Sequence, residues 1–76
     1  MADEQDRIVR NPAILAGKPV IRGTRMSVEF ILELMAGGWS EADILENYPQ
    51  ITREDILACL EYARIAVSSE LVTPAA

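Results

Sequence analysis

Eleven residues constrain this chain more than any others: Gly17-Lys18-Pro19-Val20-Ile21-Arg22-Gly23-Thr24-Arg25-Met26-Ser27. Val20-Ile21 and Met26 with its neighbours are short β-favouring pieces on either side of an Arg-Gly-Thr turn. Glycine supplies the positive φ that a tight hairpin turn requires. Ser27 follows at once, and its hydroxyl suits a helix N-cap ahead of the apolar run from Val28. A small hairpin feeding directly into a helix is the reading these residues allow. It sets the entry angle of everything downstream.

The remaining elements follow from caps and periodicity. Arg7-Ile8-Val9-Arg10 alternates weakly and reads as a short strand ending at the turn pair Asn11-Pro12. Its partner is either the hairpin or the same strand of a second subunit. A first helix is expected from Val28 to about Ala36, closed by Gly37-Gly38; only Glu29 and Glu33 interrupt its apolar surface, which marks a core helix or a partner-binding one. Ser40-Glu41-Ala42-Asp43 opens a short second helix that Tyr48-Pro49 ends, with Trp39 packing over the junction. Thr52-Arg53-Glu54-Asp55 opens a third, reaching about Ser68. On it Ile56, Leu60, Ala63 and Val67 form the expected core stripe, with Cys59 and Ala66 at its margin. Ala58, Tyr62 and Ile65 form a second stripe, the candidate protein interface.

The expected fold is therefore mainly α: a three-helix, helix-turn-helix-like domain of homeodomain-like or winged-helix-like type, with a short N-terminal β-strand or hairpin. It occupies residues 7–69, between a flexible N-terminus at 1–6 and a flexible tail at 70–76. Below roughly 80 residues one core supplies only a few kcal/mol. A single cysteine, Cys59, and no histidine leave neither an internal disulfide nor a protein-only zinc site, and no cofactor is expected. With half the residues hydrophobic, a homodimer is the expected source of further burial.

Charge separates along the chain. Residues 7–25 hold Arg7, Arg10, Lys18, Arg22 and Arg25 and no acid, whereas residues 26–76 hold nine acids against Arg53 and Arg64, for a net charge of -5. Both later helices begin with carboxylates, so docking either N-terminus on DNA would set acid against phosphate. If the domain contacts nucleic acid, the hairpin does it, through Lys18, Arg22 and Arg25 with the amides and hydroxyl of Gly23 and Thr24. The same arginines equally suit pairing with Glu29, Glu33 or other acids. Without histidine or a phosphate-binding glycine loop, and with Cys59 on a buried face, no enzyme is expected. No apolar run reaches membrane-spanning length and the acidic start is unlike a signal peptide, so the expected location is cytoplasmic, with no membrane partner.

The blocks Gly17-Lys-Pro-Val-Ile-Arg-Gly-Thr-Arg-Met-Ser-Val28, Ala36-Gly-Gly-Trp39, Ile44-Leu-Glu-Asn-Tyr-Pro49 and Ile51-Thr-Arg-Glu-Asp-Ile56, with Tyr62-Ala63, together resemble a family of small prokaryotic domains described as VapB-like antitoxins. The resemblance spans about residues 7–67. It implies a helix-turn-helix-like fold with a short N-terminal β element and, often, a neighbouring gene for a PIN-like ribonuclease toxin. With the second apolar stripe and the charge separation, the first expectation is an antitoxin of a type II toxin–antitoxin pair, in which helix three and the tail bind the ribonuclease and the basic hairpin of a dimer binds operator DNA for autoregulation. The competing expectation is a dimeric protein-interaction module without toxin or DNA.

Overall fold

The structure is a computed structural model and describes residues 4–70. Residues 1–3 of the N-terminus expected to be flexible, and 71–76 of the expected tail, lie outside the described residues. A 3-10 turn, Glu4–Arg7, leads into β1 (Ile8–Val9); a second, Leu15–Gly17, precedes β2 (Val20–Ile21); then come α1 (Val28–Ala36), α2 (Glu41–Asn47) and α3 (Arg53–Glu70). Three helices with a two-stranded antiparallel ladder near the N-terminus give the mainly helical domain that the caps and periodicity require.

β2 is hydrogen-bonded on both edges. On one it pairs antiparallel with β1, Ile8 opposite Ile21 and Val9 opposite Val20. On the other Val20 bridges to Ser27, the Ile21 amide donates to the Met26 carbonyl at 2.9 Å, and the Val28 amide donates to the Pro19 carbonyl at 2.9 Å. The expected hairpin arms thus meet as a single bridge, and the first strand finds its partner within its own chain. The turn between the arms is closed by the Thr24 amide donating to the Ile21 carbonyl at 3.0 Å, with Gly23 at φ +81. A left-handed third residue is what a type II turn demands. The Thr24 hydroxyl donates to the Ile21 carbonyl at 2.8 Å and accepts from the Met26 amide at 2.9 Å, tightening the same turn.

The helix limits follow from local chemistry. Ser27 Oγ accepts from the Phe30 amide at 2.9 Å and caps α1. Gly38, at φ +101, ends α1 in a left-handed conformation, with its own amide donating to the Met35 carbonyl and the Trp39 amide to the Leu34 carbonyl, each at 3.0 Å. This paired closure is the Schellman arrangement. α2 opens on a reciprocal box: Ser40 Oγ accepts from the Asp43 amide at 3.0 Å, and Asp43 Oδ2 accepts from the Ser40 amide at 2.9 Å. The hydrogen bonds from the Ser40 backbone and side chain hold the Asp43 carboxyl below its ordinary value of 3.8. A carboxylate so depressed contributes stability that is present above its unfolded value and lost as pH falls through its lower folded one. An NMR titration of Asp43 is therefore expected to show a midpoint below 3.8, with α2 fraying at its start as the carboxylate protonates.

The core joins Ile21, Met26, Val28, Ile31, Ile44, Ile51, Ile56 and Cys59. Phe30 meets Tyr48 edge-on at 5.6 Å between ring centroids, and Trp39 lies 6.3 Å from Tyr48, so the aromatics seal the α1–α2 corner. α1 is less enclosed than its composition implies: Val28 and Ile31 are buried, while Phe30, Leu32, Leu34 and Met35 are half-buried.

α3 differs from expectation in rotation about its axis. Ile56 and Cys59 are fully buried and Ala58 is 2% exposed, whereas Leu60 is 36% and Val67 50% exposed. One physical cause is an anchor 48 residues apart in sequence: Asp55, almost buried at the start of α3, accepts from Arg7 Nη1 at 3.1 Å and, through Oδ2, from the Thr52 amide at 2.9 Å. Turning Asp55 inward brings Ile56, Cys59 and Tyr62 towards the core and swings Leu60 out. Residues 64–68 are all exposed, so Val67 has no core to enter. Burial pushes the Cys59 thiol up to about 12, with Asp55 adding to the rise. Since the thiolate is the reactive species, Ellman's reagent at mildly alkaline pH is expected to leave the native thiol untouched and to titrate it fully once denaturant is added. Among the described residues no helix is long and apolar enough to cross a membrane.

Candidate functional site

Two surfaces collect the residues that the sequence singles out. The first lies around the β2–α1 turn. Arg22, Gly23, Thr24 and Arg25 line one concave face together with Asn11, Ile14 and Gln50, enclosing about 630 Å³. Among the described residues no carboxylate borders it. Lys18 sits in the adjoining hollow, which it shares with Arg25, Leu15, Glu29 and Glu33.

The cations of residues 7–25 are not equally available. Arg7 is committed to Asp55. Arg10 Nη2 donates to the Tyr62 hydroxyl at 3.0 Å. Lys18 pairs with Glu29 at 3.0 Å, but both side chains are more than half exposed, and a pair of that kind contributes about 0–1 kcal/mol and yields to a better partner. Arg22 donates through Nε and Nη2 to the Asp6 carbonyl, the former at 2.9 Å. A carbonyl leaves the guanidinium charge in place, although Arg22 also borders the hollow that holds Asp6, Arg7 and Asp55. Arg25 is exposed and makes no hydrogen bond or ion pair among the described residues. Of the five expected nucleic-acid-binding residues, Arg22 and Arg25 therefore carry the charge and Lys18 is recruitable. Gly23 is exposed with open space around it, while the Thr24 hydroxyl is occupied within its turn.

The second surface lies along α3. Ala58, Tyr62 and Ile65 line a groove with Ile8 and Ala66, of about 380 Å³ and predominantly apolar. The expected interface stripe is thus brought together, with one distinction: Ala58 forms the buried floor, while Ile65, at 37% exposure, stands free. β1 supplies the opposite wall through Ile8, a role that periodicity on α3 alone does not reveal. Asn11, a turn former beside Pro12, and Gln50, beside Pro49, join the first surface without a signal in the sequence.

Such a fold and pair of surfaces define a small three-helix domain with a basic β-turn on one side and an apolar groove on another. The chain belongs to the family described as protein of unknown function (DUF433), which matches residues 8–63. Among curated proteins it is similar to the uncharacterized protein y4eO of Sinorhizobium fredii (strain NBRC 101917 / NGR234), 35% identical over 63 residues and 83% of this chain. Among solved structures it is similar to the crystal structure of a DUF433 member from Anabaena variabilis ATCC 29413, with TM-score 0.79, 29% identity and 86% of this chain covered. The match spans 28% of the length of y4eO and 64% of the solved chain, so both extend beyond the shared domain.

Proposed function

We propose that this domain is an antitoxin of a type II pair, which holds a PIN-like ribonuclease through the α3 groove and represses its own transcription by contacting operator DNA through the Arg22–Arg25 turn. The observation that carries the reading is the separation of the two surfaces. Among the described residues the cation-lined face bordered by Arg22 and Arg25 contains no acid, and the groove of Ile8, Tyr62 and Ile65 is apolar. Protein and nucleic acid can then be engaged at once. An acidic helical body, with a net charge of -5 for the chain, complements the basic surface that a nuclease needs for its own substrate. A homodimer would double the phosphate contacts and steepen the salt dependence of DNA binding.

The competing reading, a dimeric protein-interaction module without toxin or DNA, draws on the internal bonds made by Arg7, Arg10, Lys18 and Arg22. Capture of the tagged protein from its own host, with and without nuclease treatment and followed by mass spectrometry, separates the two. The antitoxin reading expects a small nuclease-like protein to survive treatment. Recovery of DNA with no protein partner would discard the toxin, and recovery of a protein other than a nuclease, with no DNA, would favour the module.

A further inference from the structure

We infer that Gln50 is a base-reading residue, recognising an adenine edge in duplex DNA from the same face on which Arg22 and Arg25 hold phosphates. The inference rests on the proposed DNA contact and deepens it. Of the polar side chains on that face, Thr24 has its hydroxyl engaged with Ile21 and Met26, and Asn11 has its carbonyl oxygen accepting from the Ala13 amide at 2.9 Å. Gln50 is exposed, and its one bond runs from Nε2 to the Met26 sulfur at 3.5 Å. A thioether is a weak acceptor, and Oε1 has no partner among the described residues. Gln50 therefore offers a donor and an acceptor side by side at almost no cost of release.

That pairing is what the major-groove edge of adenine presents in complement, an N6 donor beside an N7 acceptor. The backbone that carries Gln50 is fixed from both sides. Pro49 precedes it, Ile51 beyond it is 4% exposed, and the Ile51 amide donates to the Tyr48 carbonyl at 3.2 Å. Arginines give attraction without sequence information when they contact phosphate, so a face that contained only Arg22 and Arg25 would bind without choosing. Gln50 adds the choice.

The test selects binding sites from a randomised duplex pool with the full chain, then compares wild type, Gln50→Ala and Gln50→Lys, with Arg25→Ala as the charge control. Wild type is expected to enrich a site with an adenine at one position. Gln50→Ala should lose that preference by roughly tenfold or more, while keeping the salt slope of wild type. Gln50→Lys should move the preference at that position towards guanine, the base whose two acceptors suit a cation. Melting temperatures equal to wild type exclude misfolding at this exposed site. An unchanged adenine preference in both Gln50 variants overturns the inference and leaves the DNA contact standing. Absence of salt-dependent binding in wild type and Arg25→Ala alike overturns both, and tighter binding to single strands than to duplex overturns the assignment to an adenine edge in duplex DNA.

Discussion

Ile56→Ala is expected to abolish the folded state at physiological temperature. Ile56 is fully buried in the cluster that joins α3 to Ile31 of α1 and Ile44 of α2. Truncating a buried isoleucine costs about 2–5 kcal/mol, the lost transfer energy plus the cavity left behind. A domain of this size holds only about 3–5 kcal/mol from one core, so a single truncation removes most or all of it. Circular dichroism melts should show no cooperative transition for Ile56→Ala. Ile56→Val, which costs about 0.5–1.5 kcal/mol, should melt cooperatively at lower temperature. A cooperative Ile56→Ala melt close to wild type would mean that α3 is held chiefly by something other than this core.

The second large effect is on nucleic-acid binding. Arg22→Glu with Arg25→Glu is expected to eliminate DNA binding while leaving partner binding intact. Both side chains are exposed, and Arg25 has no internal partner among the described residues, so its reversal carries little structural cost. Each lost phosphate contact lowers the slope of log affinity against log salt by about 0.9, and the new carboxylates repel the backbone they replace contact with. Fluorescence anisotropy across a salt series measures the slope directly. Reversal of Lys18 alone should matter less, because its pairing with Glu29 already offsets its charge. Affinity and slope unchanged in the double variant would remove the turn from any account of DNA binding.

What was legible in the sequence was local. Ser27, Ser40 and Thr52 announce the three helix starts because each cap is satisfied within three residues, and Gly38 announces the end of α1 because only a left-handed residue closes it in that way. The Arg22–Arg25 turn was legible for the same reason. What was not legible depends on partners far apart in the chain. β1 reaches β2 across residues 10–19, and no periodicity in Ile8-Val9 says whether its partner lies in the same molecule. Arg7 and Arg10 read as part of a basic surface until Asp55 and Tyr62 are brought to them from 48 and 52 residues away. The first of those contacts is one of the constraints on the rotation of α3. Leu60 and Cys59 both fit a helical stripe on paper, and Asp55, buried one turn before Cys59, favours the Cys59 side. Gln50 carries no sequence signal because its availability is a matter of what its neighbours already bind.

Neutralisation of a nuclease is the most direct test of the proposed function. RNA cleavage by a nuclease-like protein captured with the chain is titrated with wild type, with Ile65→Glu and with the Arg22→Glu, Arg25→Glu double variant. Ile65 stands exposed at the edge of the α3 groove, so a charge there spoils docking and spares the core. Cleavage should fall to nothing near equivalence with wild type and with the arginine variant, and should persist with Ile65→Glu. Cleavage that continues undiminished in excess wild-type protein would contradict the antitoxin account.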